Sequence, residues 1–289
     1  MDALCAADEV VQLSLRQRDS FNYMGGQYYR TWPPLYSGNW PQLVAAIDEG
    51  LHTASQNSNL FIDTAYQLVK AALHLQALDF QGAEVFRMNA ANYLGDQYTK
   101  YVYQLMYGHT YLGQGRLAEA WKLFHQIEQA LDDGTLIELR YRLMFYENLG
   151  AYWLAEGDSG KARSAAGRLL ALATPPGNRH FQAVGNRLLA LCAQAENDRH
   201  EAAARMEQAL TFVEDGQAPL AAWRVHATAA ELHERRGDSA AAAEHHRQAA
   251  TVLRGLADGL GDDDESRTLA GTLMGALRPL SPQALASPS

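Results

Sequence analysis

Cysteine is nearly absent from this 289-residue chain: Cys5 and Cys192 stand far apart and form no CxxC or Cys/His spacing. Their scarcity excludes a disulfide framework and a cysteine-based zinc site, and it fits a reducing, cytoplasmic compartment. Also missing is any run near the roughly 20 apolar residues that cross a bilayer. The start, Met1-Asp2-Ala3-Leu4-Cys5, has neither the basic beginning nor the apolar centre of a signal peptide. No membrane association is therefore expected. Positive charge is in deficit, with 24 Lys and Arg against 33 Asp and Glu for a formal charge of -9. Such a chain repels phosphate backbones as a whole, so direct nucleic-acid binding is not expected. Tyrosine is lacking in the second half: all 14 fall at or before Tyr152, alongside Trp32, Trp40 and Trp121, and the remainder is rich in alanine. Either the first half packs its helices with bulky rings, or some of those rings face a binding surface.

What is present is a beat. Gly38-Asn39-Trp40-Pro41-Gln42-Leu43, Leu78-Asp79-Phe80-Gln81-Gly82-Ala83 and Gly115-Arg116-Leu117-Ala118-Glu119-Ala120 are versions of one phrase. Gly157-Asp158-Ser159-Gly160-Lys161-Ala162, Asn197-Asp198-Arg199-His200-Glu201-Ala202 and Gly237-Asp238-Ser239-Ala240-Ala241-Ala242 repeat it. The final residues, 43, 83, 120, 162, 202 and 242, are separated by 40, 37, 42, 40 and 40 positions. Each interval holds two apolar stretches at helical spacing, such as Val102, Leu105, Met106 and Leu112, then Leu117, Ala120, Trp121, Phe124, Ile127 and Leu131. No period-two alternation competes. The expected fold is all-α, with about six helix pairs, each turn ending one helix on Gly and capping the next with Asp or Ser. Small residues mark the crossings, with Gly108 opposite Ala120, Gly150 opposite Ala162, Ala190 opposite Ala202 and Ala230 opposite Ala242.

The phrase resembles the tetratricopeptide repeat, with its best copy in Gly108, Tyr111, Gly115, Ala120 and Phe124 and a second in Gly150, Trp153, Gly157 and Ala162. That second copy departs at Ala166, and the later copies depart at Ala193, Met206, His233 and His246. Trp223-Arg224-Val225-His226-Ala227, Gly237-Asp238 and the run Ala249, Val252, Leu253, Leu256, Ala257, Leu260 look like the closing repeats of bacterial signal-transduction ATPases, including cyclase-linked and transcription-activator types. No ATPase or output domain precedes the repeats, so either a free-standing relative or the repeat region of a larger protein is implied. Residues 1–37 read as an irregular N-terminal helix and aromatic segment completing the first repeat, 38–260 as repeats, 261–278 as a capping helix and 279–289 as a disordered tail.

Apparent catalytic motifs dissolve into this framework. Gly157-Asp158-Ser159-Gly160 has the letters around a protease nucleophile, but Gly-Asp-Ser recurs at 237–239 in the same turn. Gly113-x-Gly115 follows a helix where a dinucleotide fingerprint needs a strand. Lys161 has Ala155 where a phosphate-binding loop requires glycine. His226, His233, His245 and His246 lack a zinc spacing, and Asp262 to Glu265 lacks the ligand alternation of a calcium loop, leaving a solvated turn. No catalytic residue, metal or cofactor is expected.

The resemblance implies an all-α, right-handed α-α superhelix, a solenoid of about six helix pairs in which the first helix of each pair lines the concave face. Its register then offers Tyr98 and His109; Arg140 and Glu147; Arg187; and Arg224 and Glu231. Arg140, Arg187 and Arg224 would form a ladder able to grip carboxylates, unless Glu147 and Glu231 neutralise it. The reading is a non-enzymatic interaction or effector-sensing module for a protein or peptide partner, with a small effector and an oligomer left open. Its alternatives are an enzyme with a pocket near the aromatic half and a purely structural assembly subunit.

Overall fold

The computed structural model describes residues 3–91, 95 and 97–276; the expected tail lies outside them. Among the described residues there are fifteen helices and no strand. They are α1 (Ala3–Gln17), α2 (Ser20–Tyr29), α3 (Trp32–Ser37), α4 (Trp40–Gln56), α5 (Leu60–Gln76), α6 (Phe80–Ala90), α7 (Gln97–Gly113) and α8 (Leu117–Asp132). The series continues with α9 (Leu139–Ala155), α10 (Ser159–Ala173), α11 (Arg179–Ala195), α12 (Arg199–Thr211), α13 (Pro219–Arg235), α14 (Ser239–Asp258) and α15 (Asp264–Gly275).

The recurring phrase is a turn with a single mechanism. Its first residue is left-handed in every copy, with φ of 75° at Gly38, 64° at Leu78, 73° at Gly115, 78° at Gly157, 63° at Asn197 and 77° at Gly237. The next residue returns its N–H to a carbonyl five positions back, Asp158 to Trp153 at 2.8 Å and Asp198 to Ala193 at 2.8 Å, satisfying the helix end. Where the next residue is aspartate it also caps the following helix, its carboxylate accepting from the N–H of Gly82 at 3.0 Å, Lys161 at 2.9 Å, Glu201 at 2.9 Å or Ala241 at 3.1 Å; Asn39 and Arg116 hold the same place without a side-chain cap. Gly157-Asp158-Ser159 and Gly237-Asp238-Ser239 are thus the same capped turn. Leu78 and Asn197 hold this conformation without glycine, which costs roughly 1–2 kcal/mol for an ordinary side chain.

Five regular pairs follow from these turns, α5/α6, α7/α8, α9/α10, α11/α12 and α13/α14, each packed on the next. The first members, α5, α7, α9, α11 and α13, touch one another in succession and make a continuous inner layer. The core is likewise continuous, from Met24 and Trp40 through Tyr66, Phe124, Phe145 and Phe181 to Leu253 and Leu273. Alanines form its second half: Ala162, Ala190, Ala202, Ala230 and Ala242 are all buried. Two crossings show why small residues are needed. A Cβ on Gly108 would lie 2.3 Å from the Phe124 ring, and one on Gly150 would lie 2.9 Å from Leu188 of the next pair.

The first pair is irregular. Its leading element breaks at Arg30-Thr31 into α2 and α3, the latter starting on Pro33 and Pro34, which the first helical turn accommodates. The break turns α3 across the inner layer. Trp32 stands edge-on to Tyr141 of α9 at 5.6 Å between ring centroids, and Tyr36 packs on His180 and Phe181 of α11 at 4.9 and 5.5 Å. α3 also touches α13. At the other end, Glu265 of α15 bonds Lys70 at 2.8 Å and His74 at 2.9 Å on α5, and Asp79 holds the other His74 nitrogen at 2.8 Å. The acidic run near 262 is therefore a clasp as well as a turn.

Gly108→Ala forces the Phe124 ring aside and is expected to cost about 1–3 kcal/mol. Gly167→Ala, on an exposed stretch of α10 with no atom within 4 Å of the added carbon, is expected to stabilise by about 0.5–1 kcal/mol. Urea unfolding of both variants against the parent checks the opposed signs.

Candidate functional site

The inner layer gathers most of the residues that register had selected. His109 comes from α7, Glu147 from α9, Arg187 from α11, and Arg224 and Glu231 from α13. They act on one another electrostatically: Glu147 feels Arg224 and Arg187, Arg187 feels Glu231 and Glu147, and His109 feels Arg224. Two further residues join them, His180 of α11, which feels Arg224, and Tyr36 of α3, which feels Glu147. Glu231 stands at the exposed end of the group. The side chain of Tyr98 lies outside the described residues.

Backbone hydrogen bonds set the two arginines. Arg187 donates from Nε to the carbonyl of Arg224 at 3.2 Å and to the hydroxyl of Thr228 at 2.7 Å. Arg224 donates from Nη1 to the carbonyl of Leu220 at 2.7 Å, and its guanidinium lies 4.5 Å from the Trp223 ring centroid. Among the described residues no ion pair joins either arginine to Glu147 or Glu231. Both guanidiniums thus keep N–H groups that no carboxylate has claimed.

Enclosure shows in the proton affinities. Burial lowers Arg224 to about 10 and lowers Arg187, while it raises Glu147 against the pull of Arg224 and Arg187. Burial, with Arg224 adding to it, takes His109 and His180 down to about 3, so both rings are neutral at pH 7. Arg187, Arg224, Glu147 and His109 nevertheless keep part of their surface open. Protein surrounds them on most sides while leaving an approach to water. A water-accessible pair of guanidiniums in low-dielectric surroundings, beside neutral imidazoles, is suited to hold an anionic oxygen.

Arg140 does not join this pair. Its Nη2 bonds Glu138 at 2.6 Å, and its guanidinium sits among Tyr28, Tyr29, Trp32 and Tyr141 at 5.4, 4.7, 4.7 and 4.8 Å from the ring centroids. The expected three-rung ladder is two arginines on the inner layer and a third captured by the rings of α2 and α3. Register alone missed this, because Glu138 lies in the connection between α8 and α9 and the α2–α3 segment precedes the first turn phrase. Tyr36 and Trp32 were hinted at only by the aromatic cluster preceding the first turn.

The histidines of α13 and α14 form a stack instead of a metal site. His245 lies between His226 and His233, with ring centroids 5.4 Å away from each, and burial lowers His226 to about 4. Among the described residues no group of His, Cys, Asp and Glu is arranged to hold a metal ion, and no helix is long and apolar enough to cross a membrane.

No family model matches the chain, and no curated protein does. Among solved structures, the crystal structure of BtubC (BKLC) from P. vanneervenii is similar, with a TM-score of 0.48 at 17% identity over 90% of this chain and 93% of that one.

The neutral inner histidines give a signed pH dependence. Unfolded His180 takes up a proton near its ordinary 6.5, while the folded ring stays neutral down to about 3. Stability contributed by this ring is therefore full above 6.5 and lost as pH falls through that window, by up to about 1.4 kcal/mol per pH unit. Denaturant unfolding between pH 6.5 and 5 is expected to show this slope, and His180→Gln is expected to reduce it by that ring's share, up to about 1.4 kcal/mol per pH unit, while the share of His109 remains.

Proposed function

We propose that this chain is a non-enzymatic helical-repeat module that captures a carboxylate-rich segment of a protein partner on its inner layer, with Arg187 and Arg224 as anchors. The observation that supports this reading is the pair itself: two guanidiniums from successive repeats, oriented by backbone carbonyls and Thr228, with no carboxylate paired to either. Arginine forks match carboxylate geometry, and partial desolvation strengthens the charge-assisted bond. The overall charge of -9 then serves selectivity, since an acidic segment is repelled except where the pair lies.

In this reading the pairs are tetratricopeptide-like and the module is regulatory. Capture of the partner passes along the chain as small rotations between packed repeats, because each repeat contacts mainly its neighbours. A signalling role in the cytoplasm follows from the same resemblance of the closing repeats. Turnover by the purified chain on hydrolase or transferase substrates would replace the reading with an enzymatic one.

The test is an array of immobilised Asp- and Glu-rich peptides beside Lys-rich counterparts, probed with the full chain and with Arg187→Gln/Arg224→Gln. The double variant keeps hydrogen-bonding capacity and removes the charge. Acidic peptides are expected to be retained by the parent and to lose about tenfold or more in affinity with the variant, about 1.4 kcal/mol or more, at unchanged helical circular dichroism. Equal retention of acidic and basic peptides, or equal retention by parent and variant, would overturn the assignment.

A further inference from the structure

A separate cavity of about 710 Å³ lies between the N-terminal helices and the inner layer. Trp32, Pro33 and Tyr36 of α3 form one wall, and Leu139 and Leu143 of α9 with Phe181 of α11 form the other. Its size falls within the range of small-molecule sites, and such sites are mostly apolar with a few placed polar groups.

The polar groups are unusual. Trp32 is 5% exposed and His180 is 7% exposed, both line the cavity, and neither the Trp32 indole nitrogen nor either His180 nitrogen has a hydrogen-bond partner. More than nine in ten buried polar groups are paired in folded proteins, so two unpaired heterocycles, Trp32 on the α3 wall and His180 on the α11 wall, mark a place where a partner is expected. An indole nitrogen can only donate, whereas a neutral imidazole offers one donor and one acceptor. His180 is held neutral by burial, assisted by Arg224. The nitrogens are covered by neighbouring atoms, so engaging them takes a small turn of each ring.

The charges at the rim decide the class of ligand. Glu138 and Arg140 line the cavity but bond one another at 2.6 Å, and Tyr29 donates to the second oxygen of Glu138 at 3.0 Å. A charged ligand would have to break that set or be desolvated without a counter-ion, which is costly. An uncharged ring system meets no such opposition, and the Trp32, Tyr36 and Phe181 rings offer it edge-to-face and offset contacts.

We propose that this cavity binds a flat, uncharged aromatic molecule that presents a hydrogen-bond acceptor to Trp32 and pairs with His180. The cavity shares Tyr36 and His180 with the surroundings of the arginine pair, but its ligand and its variants are different, so either assignment can fail without the other.

The experiment titrates the full chain with Prodan, an uncharged naphthyl ketone whose emission reports its surroundings, and in parallel with anilinonaphthalenesulfonate, a fused-ring probe carrying a fixed negative charge. Saturable one-to-one binding of Prodan is expected, about tenfold or more tighter than the sulfonate. Leu139 lines the cavity yet is 42% exposed, so Leu139→Trp fills the space while sparing the core. It is expected to weaken Prodan by about tenfold or more at unchanged circular dichroism. Trp32→Phe keeps a ring and removes the donor; it is expected to weaken Prodan, and shift its emission away from the hydrogen-bonded form, with little change for the sulfonate. Absence of saturable Prodan binding overturns the site. Tighter binding of the sulfonate overturns the ligand class. Unchanged Prodan affinity in both variants overturns the location.

Discussion

The edge-to-face contact of Trp32 with Tyr141, with the Tyr36 ring on His180 and Phe181, joins the first helix pair to the fourth and fifth. In an open solenoid such pairs would never meet, because each repeat touches only its neighbours. Here α3 reaches as far as α13, and Gly38 lies under Leu256 of α14. The Glu265 contacts with Lys70 and His74 add a second long-range tie, from α15 to α5. A chain whose contacts would otherwise be local is tied across its length. Part of the aromatic excess of the first half gains a reason, since Tyr28, Trp32 and Tyr36 pack on the core and join α2 and α3 to the inner layer.

That closure also sets the electrostatics. With α3 laid across the inner layer, Arg187, Arg224, Glu147 and His109 are enclosed without being packed away. Burial works on each in its own direction, lowering the arginines and histidines and raising the glutamate. A paired guanidinium in such a place would be a structural strut. An unpaired one retains its attraction for an incoming oxygen, and backbone carbonyls hold its orientation at no cost in charge. Arg140 shows the contrast: with Glu138 bonded to it and four rings around it, its charge is already spent within the fold.

The turn phrase was legible because each of its letters has a local job. Gly157 takes a left-handed φ of 78° and Asp158 caps the next helix, and neither depends on anything distant. The spacing of Glu147, Arg187 and Arg224 was legible for the same reason, since helical register is local. Two things were not. Leu78 adopts the left-handed conformation with no residue preference to announce it. The path of α3 across the repeats depends on contacts more than 100 residues apart, such as Trp32 with Tyr141 and Tyr36 with His180. Periodicity carries no information about such contacts, which is why Arg140 was assigned to the ladder and lies in the aromatic group instead.

Tyr36 links the two regions. One side of its ring lines the cavity beside Trp32, and its hydroxyl, with no partner of its own, lies within the field of Glu147. Whatever shifts α3 on the cavity side therefore changes the surroundings of the carboxylate that tempers Arg187 and Arg224. The reverse holds with equal force, because an oxyanion that draws the arginines away from Glu147 alters what the Tyr36 hydroxyl faces. Were both proposed sites occupied, any coupling between them would be equal in free energy in either direction. Its sign would follow from whether the Glu147 carboxylate gains or loses contact, and the Trp32–Tyr141 contact holds α3 in its place across the inner layer.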